Sequence, residues 1–125
     1  MSSWAAGGAG APPGPPLEPL RALLCTAPPD VAEVLAKRLV ERKLAACVNV
    51  LPGVRSVYAW KGEVQVDDEC LLVVKTRASL VPDVTAAILE LHPYDMPEVV
   101  ALALEGAEGN PAYLAWLVAE TARPS

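Results

Sequence analysis

The chain has 125 residues, of which 53% are apolar; this suits one domain with a hydrophobic core and excludes a disordered protein. Its formal net charge of −5 argues against a nucleic-acid partner, because phosphate binding requires a basic surface. No apolar run approaches the roughly 20 residues of a membrane span, and neither a secretory signal nor an even set of cysteines is present, so we expect a cytoplasmic protein with reduced thiols and no membrane partner.

The chain begins with a segment, residues 1–19, that is rich in Pro, Gly and Ala. Such a composition buries too little surface to offset its chain entropy, so it predicts a flexible tail ahead of one domain at 20–125. The apolar run Arg21–Thr26 is predicted to be the first strand of that domain.

A first helix is predicted to follow, ending near Lys43. Asp30 is suited to cap it, and Glu33 would complete a capping box. Its buried stripe is predicted from the helical spacing of four apolar residues: Val31, Val34, Leu35 and Leu39.

The stretch Leu44–Glu63 has the longest continuous pattern of one kind of secondary structure in the chain, and it predicts a long strand. The Pro52-Gly53 pair predicts a bulge within it, and Lys61-Gly62 predicts a tight hairpin turn. The returning strand carries the acidic run Asp67-Asp68-Glu69 before an apolar run from Cys70 to Val74.

The second half of the chain predicts a helix capped by Ser79, a two-proline loop over His92–Glu98 and a last strand over Val99–Glu105. Asn110 and Pro111 then open a terminal helix that runs through Thr121. The buried stripe of the second helix is expected to contain Val81, Val84, Ile88 and Leu91.

This order predicts an α+β fold, a ferredoxin-like βαββαβ sandwich with an extra C-terminal helix. Several strands are apolar on both faces, whereas two helices can cover only one. Leaving the other face in water would cost more than a small domain's stability margin. We therefore expect another copy of the chain to cover it.

The chain resembles the CutA family of divalent-cation-tolerance proteins over residues 21–122. Six segments carry the resemblance: Cys25-Thr26 with Pro28, Leu44–Asn49, Ser56–Gly62, Lys75-Thr76, His92–Tyr94 with Pro97-Glu98, and Tyr113–Trp116. The resemblance implies a homotrimer whose sheets face inward. It also implies binding of copper or another divalent cation and a role in metal tolerance.

The predicted topology brings Cys25, His92 and Glu98 to one end of the sheet, where thiolate, imidazole and carboxylate suit copper or zinc. The resemblance assigns metal ligation to Cys25 and His92, although Leu91 stands where some relatives have another histidine. The alternatives are a buried core thiol at Cys25, a helix-end cation at His92 and a carboxylate at Glu98 that accepts from loop amides. Cys47 and Cys70 are expected to be packing residues.

Three other groups of side chains are candidates for a binding role. Five aromatic residues are candidates for either a ligand cleft or a subunit interface: Tyr58, Trp60, Tyr94, Tyr113 and Trp116. The acidic run Asp67–Glu69 suits a weak cation site, but a solvated strand edge is the commoner role. Lys61 and Lys75 are suited to an anion or simply to solvent.

No motif for enzyme chemistry is present, since the chain has one histidine and neither a Gly-rich phosphate loop nor a GxSxG elbow. We therefore expect a trimeric, copper-binding protein of metal tolerance that performs no turnover. Two alternatives stay open: a trimeric scaffold for an unidentified protein partner, and a small-molecule sensor similar in architecture to the PII signalling proteins.

Overall fold

The computed structural model describes residues 18–105 and 108–122, so the tail predicted at 1–19 lies almost entirely outside the described residues. The described elements are β1 (Leu20–Ala27), α1 (Pro29–Glu41), β2 (Cys47–Trp60), β3 (Glu63–Arg77), α2 (Val81–Leu91), β4 (Val100–Leu104) and α3 (Pro111–Glu120). The strands form one antiparallel sheet in the order β2-β3-β1-β4. This confirms the predicted α+β, ferredoxin-like plan with its added terminal helix.

The starts of the first two helices differ from the prediction. Pro28 occupies the cap position of α1 and makes no side-chain cap bond, so Asp30 lies inside the first turn, where its carboxylate faces the positive end of the helix dipole. Ser79 lies in a 3-10 turn ahead of α2 and does not cap it. The start of α3 is as predicted, because the Asn110 side chain accepts a hydrogen bond from the Ala112 amide at 3.1 Å.

The main core lies between the sheet and the pair α1 and α2. β1 and β3 contribute Leu23, Leu72 and Val74, which are fully buried. The predicted burial of Val34 is wrong, since this side chain is exposed. The buried stripe of α1 consists instead of Ala32, Leu35, Ala36 and Leu39, where the two alanines allow close approach of the helix to the sheet.

The opposite face of the sheet, here called the second face, is only partly covered. At one end Leu117 of α3 packs against Leu20 and Ala46. The helix α3 therefore covers part of the face that only another copy of the chain was expected to cover. Further along, Val100 and Leu102 of β4 are half exposed. The strand pairing places these apolar side chains on the same face: Leu24, Leu51, Leu71, Val73, Val100 and Leu102.

β2 and β3 continue beyond the rest of the sheet as a two-stranded ribbon, the hairpin arm (residues 54–69). β1 ends at Ala27 opposite Cys70, whereas the β2–β3 pairing runs on to Trp60 opposite Glu63. Seven further residues at about 3.3 Å each give a projection of roughly 23 Å.

Two local conformations shape the hairpin arm as predicted. The register shifts between Leu51 and Val54, where Gly53 has a φ of 78°. At the tip, Lys61 and Gly62 have φ values of 51° and 81°. Two consecutive positive φ values match the twist that a two-residue hairpin requires.

Candidate functional site

A cleft of about 630 Å³ lies between the hairpin arm and the loop that joins α2 to β4. The arm contributes Tyr58, Trp60, Asp67 and Glu69 to its walls, and the loop contributes Tyr94. The volume falls within the range of about 300–1,000 Å³ that is usual for small-molecule sites.

The cleft is acidic. Asp67, Glu69, Asp95 and Glu98 line it, and none of its lining residues, all within the described ranges, is Lys, Arg or His. Side chains two apart on a strand share a face, so Asp67 and Glu69 point into the cleft together. Asp68 points to the other side of the arm.

Two tyrosine hydroxyls donate to the carboxylates of the cleft. Tyr58 donates to Asp67 Oδ2, and Tyr94 donates to Glu69 Oε2 at 3.2 Å. Burial and the Glu69 charge raise the pKa of Tyr94 to about 12. The hydrogen bond to Asp67 is the main reason that the pKa of Tyr58 is raised. Both hydroxyls therefore keep their protons at neutral pH and orient the carboxylates.

The structure places the three predicted metal ligands around the end of β1, but both ring nitrogens of His92 are already used in hydrogen bonds. His92 Nδ1 accepts the Tyr94 amide proton at 3.1 Å, so Nε2 carries the ring proton and donates to the Thr26 carbonyl at 2.8 Å. A metal ligand needs a free lone pair on one ring nitrogen. His92 is thus committed to holding the loop against β1.

Cys25 and Glu98 lie on different sides of the end of β1. Cys25 is buried in the main core beneath the helices, whereas Glu98 is exposed and lines the cleft. Burial above all, with the charges of Glu98 and Glu69, raises the pKa of the Cys25 thiol to about 12. A thiol must lose its proton to bind a metal.

The three predicted ligands therefore do not fit a copper centre within one chain. Across residues 18–105 and 108–122, no group of three or more His, Cys, Asp or Glu side chains is arranged to hold a metal ion. A metal held by this protein needs a different donor set, additional donors from a second subunit, or water.

The burial of Cys25 predicts an alkaline loss of stability. The unfolded chain loses this proton near the ordinary pKa of 9.0, whereas the folded chain keeps it until about 12. The free energy of unfolding should thus be constant below pH 9 with respect to this group. It should then fall by up to about 1.4 kcal/mol per pH unit between 9 and 12.

Urea unfolding across this pH range measures the effect, and Cys25→Ala should reduce the slope. Tyr94 contributes a similar decline above its ordinary pKa of 10.0, so the variant keeps part of the slope. Cys47→Ala, which removes a half-buried thiol, is the matched control. An unchanged slope in Cys25→Ala would contradict this account of the thiol.

The other aromatic candidates divide between two places. Tyr113 and Trp116 lie on α3 with their ring centroids 5.4 Å apart. They pack against Leu20, Ala46 and Leu117 and do not line the cleft. Lys75 Nζ lies 5.7 Å from the Tyr113 ring centroid. Of the five predicted residues, only Tyr58, Trp60 and Tyr94 line the cleft.

The surroundings of Asp67 and Glu69 differ from those expected from the sequence. The acidic run was expected to be a solvated edge, but only Asp68 is exposed, whereas Asp67 is half-buried and Glu69 is buried. The available signal was the alternation of the strand, which puts Asp67 and Glu69 on one face of the hairpin arm, together with their strand partners Ser56 and Val54.

The chain is similar to known proteins of one family. Residues 22–120 match the family model described as "CutA1 divalent ion tolerance protein". The chain is 50% identical over 99 residues to the Protein CutA homolog of Xenopus laevis, covering 78% of this chain and 64% of that protein. It therefore spans less than two thirds of that relative.

Two further relatives are matched over nearly their whole length. The divalent-cation tolerance protein CutA of Thermus thermophilus is 51% identical over 96 residues, which are 76% of this chain and 91% of the relative. The crystal structure of CutA1 from Oryza sativa superposes with a TM-score of 0.81 at 44% identity, covering 86% of this chain and 97% of the other.

Proposed function

Because the chain belongs to the CutA1 family of divalent ion tolerance proteins, we propose that it acts in divalent-cation tolerance as a homotrimer that binds copper. The acidic cleft is the observation that supports cation binding, because its four carboxylates face a lining without a basic residue. Copper is the first cation to test, since it stands highest in the affinity order of divalent metals for nitrogen and oxygen ligands.

The proposed coordination starts from the Glu69 carboxylate and is completed by water and by donors of a neighbouring subunit, because the carboxylates in the described part of one chain do not form a metal-binding group by themselves. Carboxylate oxygens are adequate ligands for divalent cations without a preformed cage. Cys25 and His92 serve the fold in this proposal, for the reasons of burial and hydrogen bonding given above.

The homotrimer is supported by the second face. Its apolar residues extend beyond the part that α3 covers, and Val100 and Leu102 are half exposed in the single chain. Burying such area against other copies is favourable by about 25 cal/mol per Å². We also propose that the protein works in the cytoplasm and without turnover.

Two alternatives are set against this function. The size and aromatic walls of the cleft favour a small-molecule sensor, and the exposed Val57, Val64 and Val66 on the hairpin arm favour a scaffold for a protein partner.

None of the helices in the described part of the chain is long and apolar enough to cross a membrane.

Copper titration of the reduced, metal-free protein by calorimetry, in a buffer without amines, tests the proposal. Glu69→Gln should weaken copper binding by about tenfold or more, because it removes one charged ligand. Cys25→Ala should leave the affinity unchanged, and Asp68→Asn, which makes the same charge change as Glu69→Gln outside the cleft, is the matched control.

Three results would count against this account. Loss of binding in folded Cys25→Ala and His92→Ala would return the ligand set to the one expected from the sequence. Equal losses in Glu69→Gln and Asp68→Asn would reduce the cleft to a general electrostatic effect. Absence of copper binding by the wild-type chain would remove the metal function.

A further inference from the structure

Glu69 is the most unusual residue of the cleft. Only 4% of it is exposed, and within the described residues its carboxylate has one hydrogen bond, from the neutral Tyr94 hydroxyl, and no ion pair. Buried charges are normally paired, because an isolated one is costly to remove from water. This carboxylate borders an open cleft, so its missing partner is expected to be a cation that enters from solvent.

The walls of the cleft indicate what kind of cation fits. Tyr58, Trp60 and Tyr94 present aromatic rings to it, and ring faces attract organic ammonium groups. The chain itself provides an instance, since Lys61 Nζ lies 6.0 Å from the centroid of the Trp60 ring. An ammonium ion is therefore already accommodated beside one of the rings that line the cleft.

The distribution of charge argues for more than one ammonium group. Asp67 and Glu69 come from the hairpin arm, whereas Asp95 and Glu98 come from the opposite loop. In the described residues these carboxylates do not converge as a metal-binding group does. Carboxylates on opposite walls of a cleft of about 630 Å³ are better matched by an elongated cation with charges at both ends.

We propose that the cleft binds a small aliphatic amine that carries two ammonium groups, with one ammonium donating to Glu69 and the other facing the loop carboxylates. A primary ammonium has three N–H donors, which the acceptor-only carboxylates of the cleft require. The apolar chain between the two charges lies against the aromatic walls. This inference goes beyond the proposed function, because it needs no metal.

The test is calorimetric titration of the full chain with 1,4-diaminobutane in a buffer containing EDTA. We expect the diamine to bind, 1-aminobutane to bind more weakly because it lacks the second charge, and tetramethylammonium to bind least because it has no N–H donor. Glu69→Gln should weaken diamine binding by about tenfold or more.

Asp68→Asn is the matched control, because Asp68 is adjacent to Glu69 in sequence but on the other side of the strand. Its side chain is 78% exposed and pairs with Arg55 at 3.0 Å. It should change the affinity less than about twofold. Circular dichroism of each variant establishes that it is folded before it is titrated.

Absence of diamine binding at concentrations up to about 10 mM would overturn the inference. Equal affinities for the diamine and 1-aminobutane would overturn the two-charge match, and equal losses in Glu69→Gln and Asp68→Asn would overturn the role of Glu69. Copper binding that persists in EDTA-free buffer while diamine binding is absent would leave the proposed function standing and remove this inference alone.

Discussion

Leu102→Asp is expected to convert the proposed homotrimer into single chains. Leu102 lies on the second face in β4, with 48% of its surface exposed in the single chain, and its strand partner Ala22 continues the same apolar surface. A carboxylate buried there against other copies would lose its hydration without a partner, at a cost of several kcal/mol per site. Each assembled trimer would contain three such sites, so dissociation is the expected response.

Light scattering at micromolar concentration measures the change as a fall from three chains per particle to one. Leu89→Asp is the control, because Leu89 is a similarly exposed leucine, at 54%, on the opposite side of the sheet in α2. It should stay trimeric. A trimeric Leu102→Asp variant would contradict the proposed interface, and a soluble wild-type monomer would contradict the homotrimer itself.

Local signals account for the parts of the fold that were predicted correctly. The bulge at Pro52-Gly53 and the turn at Lys61-Gly62 depend on conformations that glycine adopts at little cost, so the residue types themselves indicate them. The sheet order follows from the handedness and length of the connections. The helix starts were less predictable, because Pro28 and Pro29 displace the beginning of α1 ahead of Asp30.

The candidate site was harder to predict because it depends on contacts between distant segments. Glu69 is buried where Tyr94, 25 positions away, donates to it. His92 is committed by Thr26, 66 positions away. No local pattern reports such contacts. Strand alternation, by contrast, already places Cys25 on the face of Leu23 and hence towards the core.

The hairpin arm has two unlike sides. One of its sides presents exposed valines, among them Val57 and Val64, and the other presents Asp67 and Glu69 to the cleft. The period of two along each strand separates most of these side chains, although Val57 also lines the cleft. A segment that identifies the family by its sequence therefore also supplies Tyr58, Trp60, Asp67 and Glu69 to the walls of the cleft.

Leu72→Ala is expected to lower the free energy of unfolding by about 2–5 kcal/mol. Leu72 lies in β3 opposite Cys25, is fully buried and belongs to the core beneath α1 and α2. Alanine would leave a cavity there, because the flanking strands limit how far the surroundings can collapse.

Urea unfolding at a fixed chain concentration measures the loss, since the stability of the proposed trimer depends on concentration. Leu89→Ala makes the same chemical change at a half-exposed position of α2 and should cost less than about 1 kcal/mol, because alanine favours the helix. Similar costs at both positions would mean that the layer between sheet and helices is not the main source of stability. A large loss at Leu72 alone would locate that stability in the sheet's helix-covered face, which also holds Cys25 away from the cleft.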